Sequence, residues 1–271
     1  MTERKNILLV GMPRSGTSMT TNIFANAGYF IAKDEASELR AGDEHNPSGY
    51  WEAELLIESN VEIFRQVGYQ KHNTWRFDLI SEKQAAQIGE LTPTQQHREL
   101  VKSYQLQAPF IWKDPRLCYT LQYWWPLMNP ETTRVLFLKR KPEDIYQSFL
   151  RLKWRNDTAA EKQETFNRIA NHLEQAKKAL QRFEIPYVEI EYADFRNNPE
   201  QVIAKFQVEF GINLTLADLG YNDKLNHSGW FGKVRITLNK SFEAIPDSIT
   251  RRIKKLIPSA LLNKLFPYRY D

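Results

Sequence analysis

The chain has 271 residues, 37 Lys or Arg against 33 Asp or Glu, for a formal net charge of +4. That length can bury roughly three-quarters of the unfolded surface, and the mild, dispersed positive balance suits a small polyanion rather than nucleic acid, which asks for a concentrated basic face. No apolar run nears the ~18 residues of a membrane span, and the single cysteine, Cys118, excludes an intramolecular disulfide and fits a reducing compartment.

Arg4 and Lys5 precede an apolar run of only Ile7 to Val10, too short for a signal peptide. That run ends at Gly11, and after four residues Gly16 opens a polar segment of helical character. This is the layout of a buried parallel strand, a phosphate loop and a helix N-terminus, where backbone N–H groups and the helix dipole hold an anion. The spacing matches the nucleotide loop G-x-x-x-x-G-K-[ST], except that Thr17 stands in the lysine position. A loop without that lysine is poorly equipped to move a γ-phosphoryl group. The cation lies inside the loop instead, at Arg14, and Thr17 and Ser18 supply hydroxyls. A ligand-free strand, turn and helix is the alternative.

Thr17 to Ala27 reads as a helix with Met19, Ile23, Phe24 and Ala27 toward the core and Gly28 as its stop. Residues 33–48 are polar and aperiodic. Pro47 and Gly49 then force a turn anchored by Tyr50 and Trp51, and a helix follows from about Glu52 to Val67 on Leu55, Leu56, Ile63, Phe64 and Val67. Residues 68–105 hold a loop around Trp75 and two helical stretches, Ser81–Gly89 and Thr94–Tyr104. They read as a helical insertion that serves as a lid, as a pocket wall or as a structural layer.

Pro109 to Trp112 makes a short buried strand with Lys113, Asp114 and Arg116 crowded at its carboxyl end, where open parallel sheets bind ligands. A surface ion cluster is the competing reading. A strand over Arg134–Leu138 leads to Pro142, which opens a helix with Glu143 and Asp144 at its positive end. Arg140 and Ser148 are spaced so that a forked guanidinium and a hydroxyl can share one phosphate. Asn156 to Phe183 is a long helix on Ile169, Leu173, Ala176 and Leu180, and its His172 reads as ordinary surface or core. A strand at Pro186–Ile190 and a helix at Pro199–Phe210, stopped by Gly211, close the pattern. Ile249 to Phe266 is basic and amphipathic; it reads as a terminal helix docked on the body, with contact to an anionic membrane as the alternative.

The string Pro13-Arg14-Ser15-Gly16-Thr17-Ser18 resembles the 5′-phosphosulfate loop of sulfotransferases that use 3′-phosphoadenylyl sulfate (PAPS). Arg14 replaces the lysine of the cytosolic small-molecule enzymes, as in tyrosylprotein sulfotransferases and many bacterial members. Arg140, Pro142 and Ser148 are similar to the family's 3′-phosphate signature, and Lys113-Asp114-Pro115 to a tyrosylprotein sulfotransferase motif. The run Asn46 to Glu52 is similar to an acceptor-site loop of bacterial members, although a turn capping the next helix would also explain Glu52. Gly232 and Lys233, with Ser228, loosely resemble the basic loop that returns to the 3′-phosphate.

Over residues 5 to 211 the resemblance implies an α/β, three-layer, P-loop-like fold with a central parallel sheet and helices on both faces, residues 1–271 forming one domain. It implies PAPS as donor, adenosine 3′,5′-bisphosphate (PAP) as product and no metal. The sulfuryl group would go to a hydroxyl or amine of a small molecule or glycan, whether carbohydrate, lipid or phenol. Arg14 and Lys113 would neutralise the phosphosulfate bridge, and N–H groups from Ser15 to Ser18 would hold the 5′-phosphate. Pro115 stands where cytosolic members carry a histidine base, so a carboxylate takes that role: Glu52 first, then Glu35, then Glu44 with His45 beside it. Tyr50, Trp51, Glu44, His45, Asp114 and Arg116 are the acceptor-site candidates. Golgi members usually begin with a membrane anchor and many carry disulfides; this chain shows neither, which points to the cytoplasm. The rivals are a P-loop small-molecule kinase, which would lack its loop lysine, and a non-catalytic nucleotide-binding relative.

Overall fold

The computed structural model describes residues 3–42, 49–71 and 79–220. Glu44, His45, Trp75, Ser228, Gly232, Lys233 and the amphipathic stretch 249–266 lie outside the described residues. At the centre is a four-stranded parallel sheet of β1 (Asn6–Gly11), β2 (Ile111–Lys113), β3 (Thr133–Lys139) and β4 (Tyr187–Glu191), in the order β2-β1-β3-β4. Ile7 pairs with Ile111 on one side and with Arg134 on the other, and Val135 to Lys139 pair with Tyr187 to Glu191.

Every residue of β1 is buried, because both faces of the sheet are covered. Strand alternation divides the aliphatics into two cores. Leu8 and Val10 join Trp112, Val135 and Phe137 on one face, while Ile7 and Leu9 join Ile111, Leu136 and Leu138 on the other. The first face packs against α3 (Glu54–Gln66), α4 (Glu82–Ile88), α5 (Gln95–Gln105), α6 (Leu117–Trp124) and α8 (Ala159–Arg182). The second packs against α1 (Thr17–Asn26), the short α9 (Asp194–Asn197) and α10 (Pro199–Phe210). α7 (Pro142–Arg151) joins α8 through Ile145, Phe149 and Ile169, and a short α2 (Glu35–Glu38) follows α1. The α/β three-layer architecture is therefore as expected.

Helix starts follow their caps. Ser81 forms a capping box with Gln84 ahead of α4, and Thr94 and Thr158 cap α5 and α8. Two details differ from the periodic reading. Leu55 is half exposed while Leu56 alone turns inward, and α3 begins at Glu54 with Ala53 as its N-cap, so Glu52 stands outside the helix and does not cap it. α6 was not anticipated: seven of its eight residues are buried, and a helix covered all round has no polar face to betray its period. Ile80, Ala85, Ile88, Val101 and Tyr104 place the described part of 79–105 in the core. His172 is fully buried with Nδ1 3.0 Å from the Arg168 carbonyl oxygen, and burial holds its pKa down at about 4.

From β1 the chain passes to β2 at the edge, then returns past β1 to β3. The carboxyl end of β1 thus lies where the winding changes direction, the place at which such sheets leave a crevice for ligands.

Candidate active site

Beyond Gly11 the chain turns through Met12–Ser15, with Ser15 N donating to the Met12 carbonyl at 3.1 Å, before entering α1. Arg14 (φ 68°) and Gly16 (φ 92°) are both left-handed, a backbone arrangement that turns N–H groups into an anion-sized hollow. Gly16 is the N-cap of α1 and offers no side-chain bond, and the first turn carries no acidic residue; α7, by contrast, has Glu143 and Asp144 there. The positive end of α1 is therefore left without a carboxylate of its own. Ser15 Oγ is buried and has no hydrogen-bond partner among the described residues, a cost that a bound anion would remove. A Cβ on Gly16 would lie 2.2 Å from Cδ2 of Tyr192, so the ring of Tyr192 closes over the glycine and excludes any side chain.

The residues expected at the two ends of one nucleotide come together here. Arg14 Nε donates to Ser148 Oγ at 3.1 Å, and an Arg140 terminal nitrogen donates to the Arg14 carbonyl at 2.8 Å. The Arg140 guanidinium also lies 4.5 Å from the centre of the Tyr192 ring, within cation–π range. Tyr192 N donates to the Lys139 carbonyl at 2.7 Å, which holds the ring beside the end of β3.

At the end of β2, Lys113 Nζ meets three acceptors: Glu52 Oε1 at 2.5 Å, the Tyr50 carbonyl at 2.9 Å and Ser18 Oγ at 3.4 Å. An ammonium has three N–H bonds, and all three are engaged. Lys113 and Glu52 are both buried, and each offsets the charge that burial would otherwise penalise in the other. Glu52 Oε2 faces Arg40 at 3.3 Å, and the Arg40 guanidinium lies 4.2 Å over the Tyr50 ring. Arg14, Thr17, Ser18, Arg40, Glu52 and Lys113 share one cleft, whose walls include Tyr50, Pro115 and Trp154.

Asp114 and Arg116 lie beneath this cleft, both buried. Asp114 Oδ1 accepts from the backbone N and a terminal nitrogen of Arg116 at 2.9 and 2.7 Å, and Oδ2 accepts from Asn60 Nδ2 at 2.8 Å. Asn60 Oδ1 in turn accepts from Thr120 Oγ1 and Trp124 Nε1. Trp51 packs against the core on the α1 side, and Glu35 opens α2. Sequence reasoning missed Arg40, Asn60, Trp154 and the part played by Tyr192. Of these, only Asn60 carried a signal, as a polar residue at a core position of α3's period.

A profile of the sulfotransferase family matches residues 6–215 of the chain. The chain belongs to the sulfotransferase family. Among solved structures, this sulfotransferase is similar to the sulfotransferase domain from the Synechococcus PCC 7002 olefin synthase, at 16% identity and TM-score 0.45 over 84% of this chain and 82% of that one. It is similar also to the sulfotransferase domain from the curacin biosynthetic pathway (15%, TM-score 0.47, 85% and 83%). Sulfotransferase STF1 from Mycobacterium tuberculosis H37Rv is a further neighbour (14%, TM-score 0.47, 84% and 76%). No curated protein matches the chain. Among the described residues, no helix of this sulfotransferase is long and apolar enough to cross a membrane, and no group of three or more His, Cys, Asp or Glu is arranged to hold a metal.

Proposed function

We propose that this sulfotransferase moves a sulfuryl group from PAPS to a hydroxyl or amine of a small-molecule or glycan acceptor. The observation that carries the reading is the meeting of Arg14, Arg140 and Ser148 beside the glycine turn. It supplies cations and a hydroxyl for a second phosphate next to the loop that suits the first. The buried hydroxyl of Ser15 and the close cover over Gly16 fit a nucleotide phosphate seated against backbone.

On this reading, N–H groups from Ser15 to Ser18 hold the 5′-phosphate, while Arg140 and Ser148 hold the 3′-phosphate. Bound, PAPS supplies the sulfuryl group and a bisphosphate leaving group. Glu52 accepts the acceptor's proton, and Oε2, the oxygen turned away from Lys113, is the atom available for it. Positioned general bases contribute roughly 10²- to 10⁴-fold. Lys113 and Arg14 present fixed positive charge where negative charge builds, which needs no rearrangement at the moment of reaction. The Ser18 contact, the longest of Lys113's three, is the one the ammonium exchanges for a phosphosulfate oxygen. Glu35 stands as the second candidate base.

Transfer of labelled sulfate from PAPS to a panel of hydroxyl and amine acceptors tests the reading, together with PAP binding by calorimetry. Transfer without ATP or added divalent metal is the expected result. Phosphoryl transfer from ATP, or PAP binding with no sulfate transferred to any acceptor, overturns it.

A further inference from the structure

The polar side chains of the cleft form a line from the interior to the surface. Ser18 contacts Lys113, Lys113 pairs with Glu52 Oε1, and Glu52 Oε2 pairs with Arg40. The Lys113 and Glu52 side chains are each 3% exposed, and that of Arg40 is 39% exposed. A molecule entering from solvent therefore meets Arg40 before it reaches Glu52.

The main chain holds Arg40 at this mouth. Its N–H donates to the Glu52 carbonyl at 2.9 Å, and Leu39 bridges Ala53 in antiparallel fashion. The guanidinium rests on the Tyr50 ring and has one ion-pair partner among the described residues, Glu52, at 3.3 Å. That carboxylate is already neutralised by Lys113 at the shorter distance of 2.5 Å. Among the described residues, three cations, Arg14, Arg40 and Lys113, thus face one carboxylate in the cleft. A phosphosulfate donor answers Arg14 and Lys113 and leaves the charge of Arg40, with its forked set of donors, facing the acceptor.

We propose that Arg40 selects an acceptor bearing an anionic group, a carboxylate or a phosphate or sulfate ester, beside the hydroxyl or amine to be sulfated; this rests on the donor reading above. The guanidinium takes that anion in forked fashion. In turning to it, Arg40 leaves Glu52 Oε2, which then accepts the acceptor's proton. Recognition of the acid and uncovering of the base are one movement. Arg40 is a specificity-determining residue and Glu52 remains the proton acceptor.

The test uses matched probes that differ by one carboxylate: tyrosol and 4-hydroxyphenylacetate, glucose and glucuronate, glycerol and glycerate. Sulfate transfer to each is measured with labelled PAPS, and binding of each to the PAP-saturated protein by calorimetry. The acid member is expected to show about tenfold or higher kcat/KM in at least one pair. Arg40→Gln should erase that preference mainly through KM, Arg40→Lys should keep part of it, and Arg40→Glu should invert it, with PAP affinity unchanged. Equal handling of the pairs, preference for the neutral members, or no acid bound or sulfated overturns the proposal. So does an Arg40→Gln variant that loses both members equally through kcat, the mark of a residue that only positions Glu52. Failure of the donor reading looks different: PAP then does not bind, or no probe of either kind is sulfated, whereas the Arg40 proposal fails on its own when the neutral members are sulfated and the acids gain nothing.

Discussion

Arg14 Nε donates to Ser148 Oγ at 3.1 Å although 134 positions separate the two residues. The contact ties the loop after β1 to the helix after β3, and Arg140 completes the tie by donating to the Arg14 carbonyl. Two motifs that are independent in sequence are one cluster in space.

Arg14→Ala and Arg140→Ala should each weaken PAP binding. Hydrogen bonds to charged groups contribute roughly 1.5–3 kcal/mol, which corresponds to about a 10- to 100-fold rise in Kd. Because the two residues touch, the double variant should lose less than the sum of the single losses. Calorimetric titration checks both points, and undiminished binding in the two single variants would remove the nucleotide assignment.

Glu52→Gln should abolish sulfate transfer, by roughly 10²-fold or more, while PAP still binds, because Glu52 contacts Lys113 and Arg40 and not the glycine loop. Single-turnover transfer alongside calorimetry separates the two effects. Near-normal transfer would pass the role of base to Glu35 or another group.

Gly16→Ala should lose nucleotide binding and lower the melting temperature. The left-handed φ alone costs about 1–2 kcal/mol with a side chain present, and the new methyl would strike the Tyr192 ring. Each kcal/mol corresponds to about 2–4 °C in a chain of this size. Gly68→Ala is the control: its φ is also positive, but nothing lies within 4 Å of a Cβ there, so PAP binding should be retained.

Asn60→Ala should destabilise the fold by about 3 kcal/mol, since it leaves Asp114 Oδ2 and the Trp124 indole N–H without their partner in the interior and takes one of two acceptors from the Thr120 hydroxyl. Urea unfolding monitored by tryptophan fluorescence measures it. A loss below about 0.5 kcal/mol would mean that this network carries no stability.

Stability should fall as pH drops from about 6.5 toward 4. Burial depresses the pKa of His172 from 6.5 to about 4, so over that interval the unfolded chain takes up a proton that the folded chain refuses. Stability contributed by the neutral ring is complete above 6.5 and lost on descent, on the order of 3 kcal/mol at 1.36 kcal/mol per unit. His97 is shifted the same way, again mainly by burial, and adds to the slope. Urea midpoints for wild type and His172→Gln between pH 4 and 7 check this; the variant's midpoint should vary less with pH.

What was legible in the sequence was what covalent adjacency imposes. A strand running into a glycine turn and a helix places Arg14, Ser15 and Gly16 without help from the rest of the fold, and the same holds for Arg140 and Ser148 around Pro142. Partners brought from afar were not legible. Lys113 and Glu52 are 61 positions apart, and nothing local says that they pair. Asp114 reads as an acceptor-site candidate at a strand end, and nothing local says that Asn60, 54 positions away on α3, bonds it in the interior. Arg40 lies in a polar, aperiodic stretch whose geometry is set by the bridge between Leu39 and Ala53.

The placement of Arg140 between the Arg14 carbonyl and the Tyr192 ring has a consequence for binding. A long, charged side chain ordinarily gives up much rotational freedom when it grips a ligand. Here that freedom is surrendered as the chain folds, so on the proposed reading a nucleotide reaching the site would meet a guanidinium already restrained, and Tyr192 would lower the entropic toll of recognition.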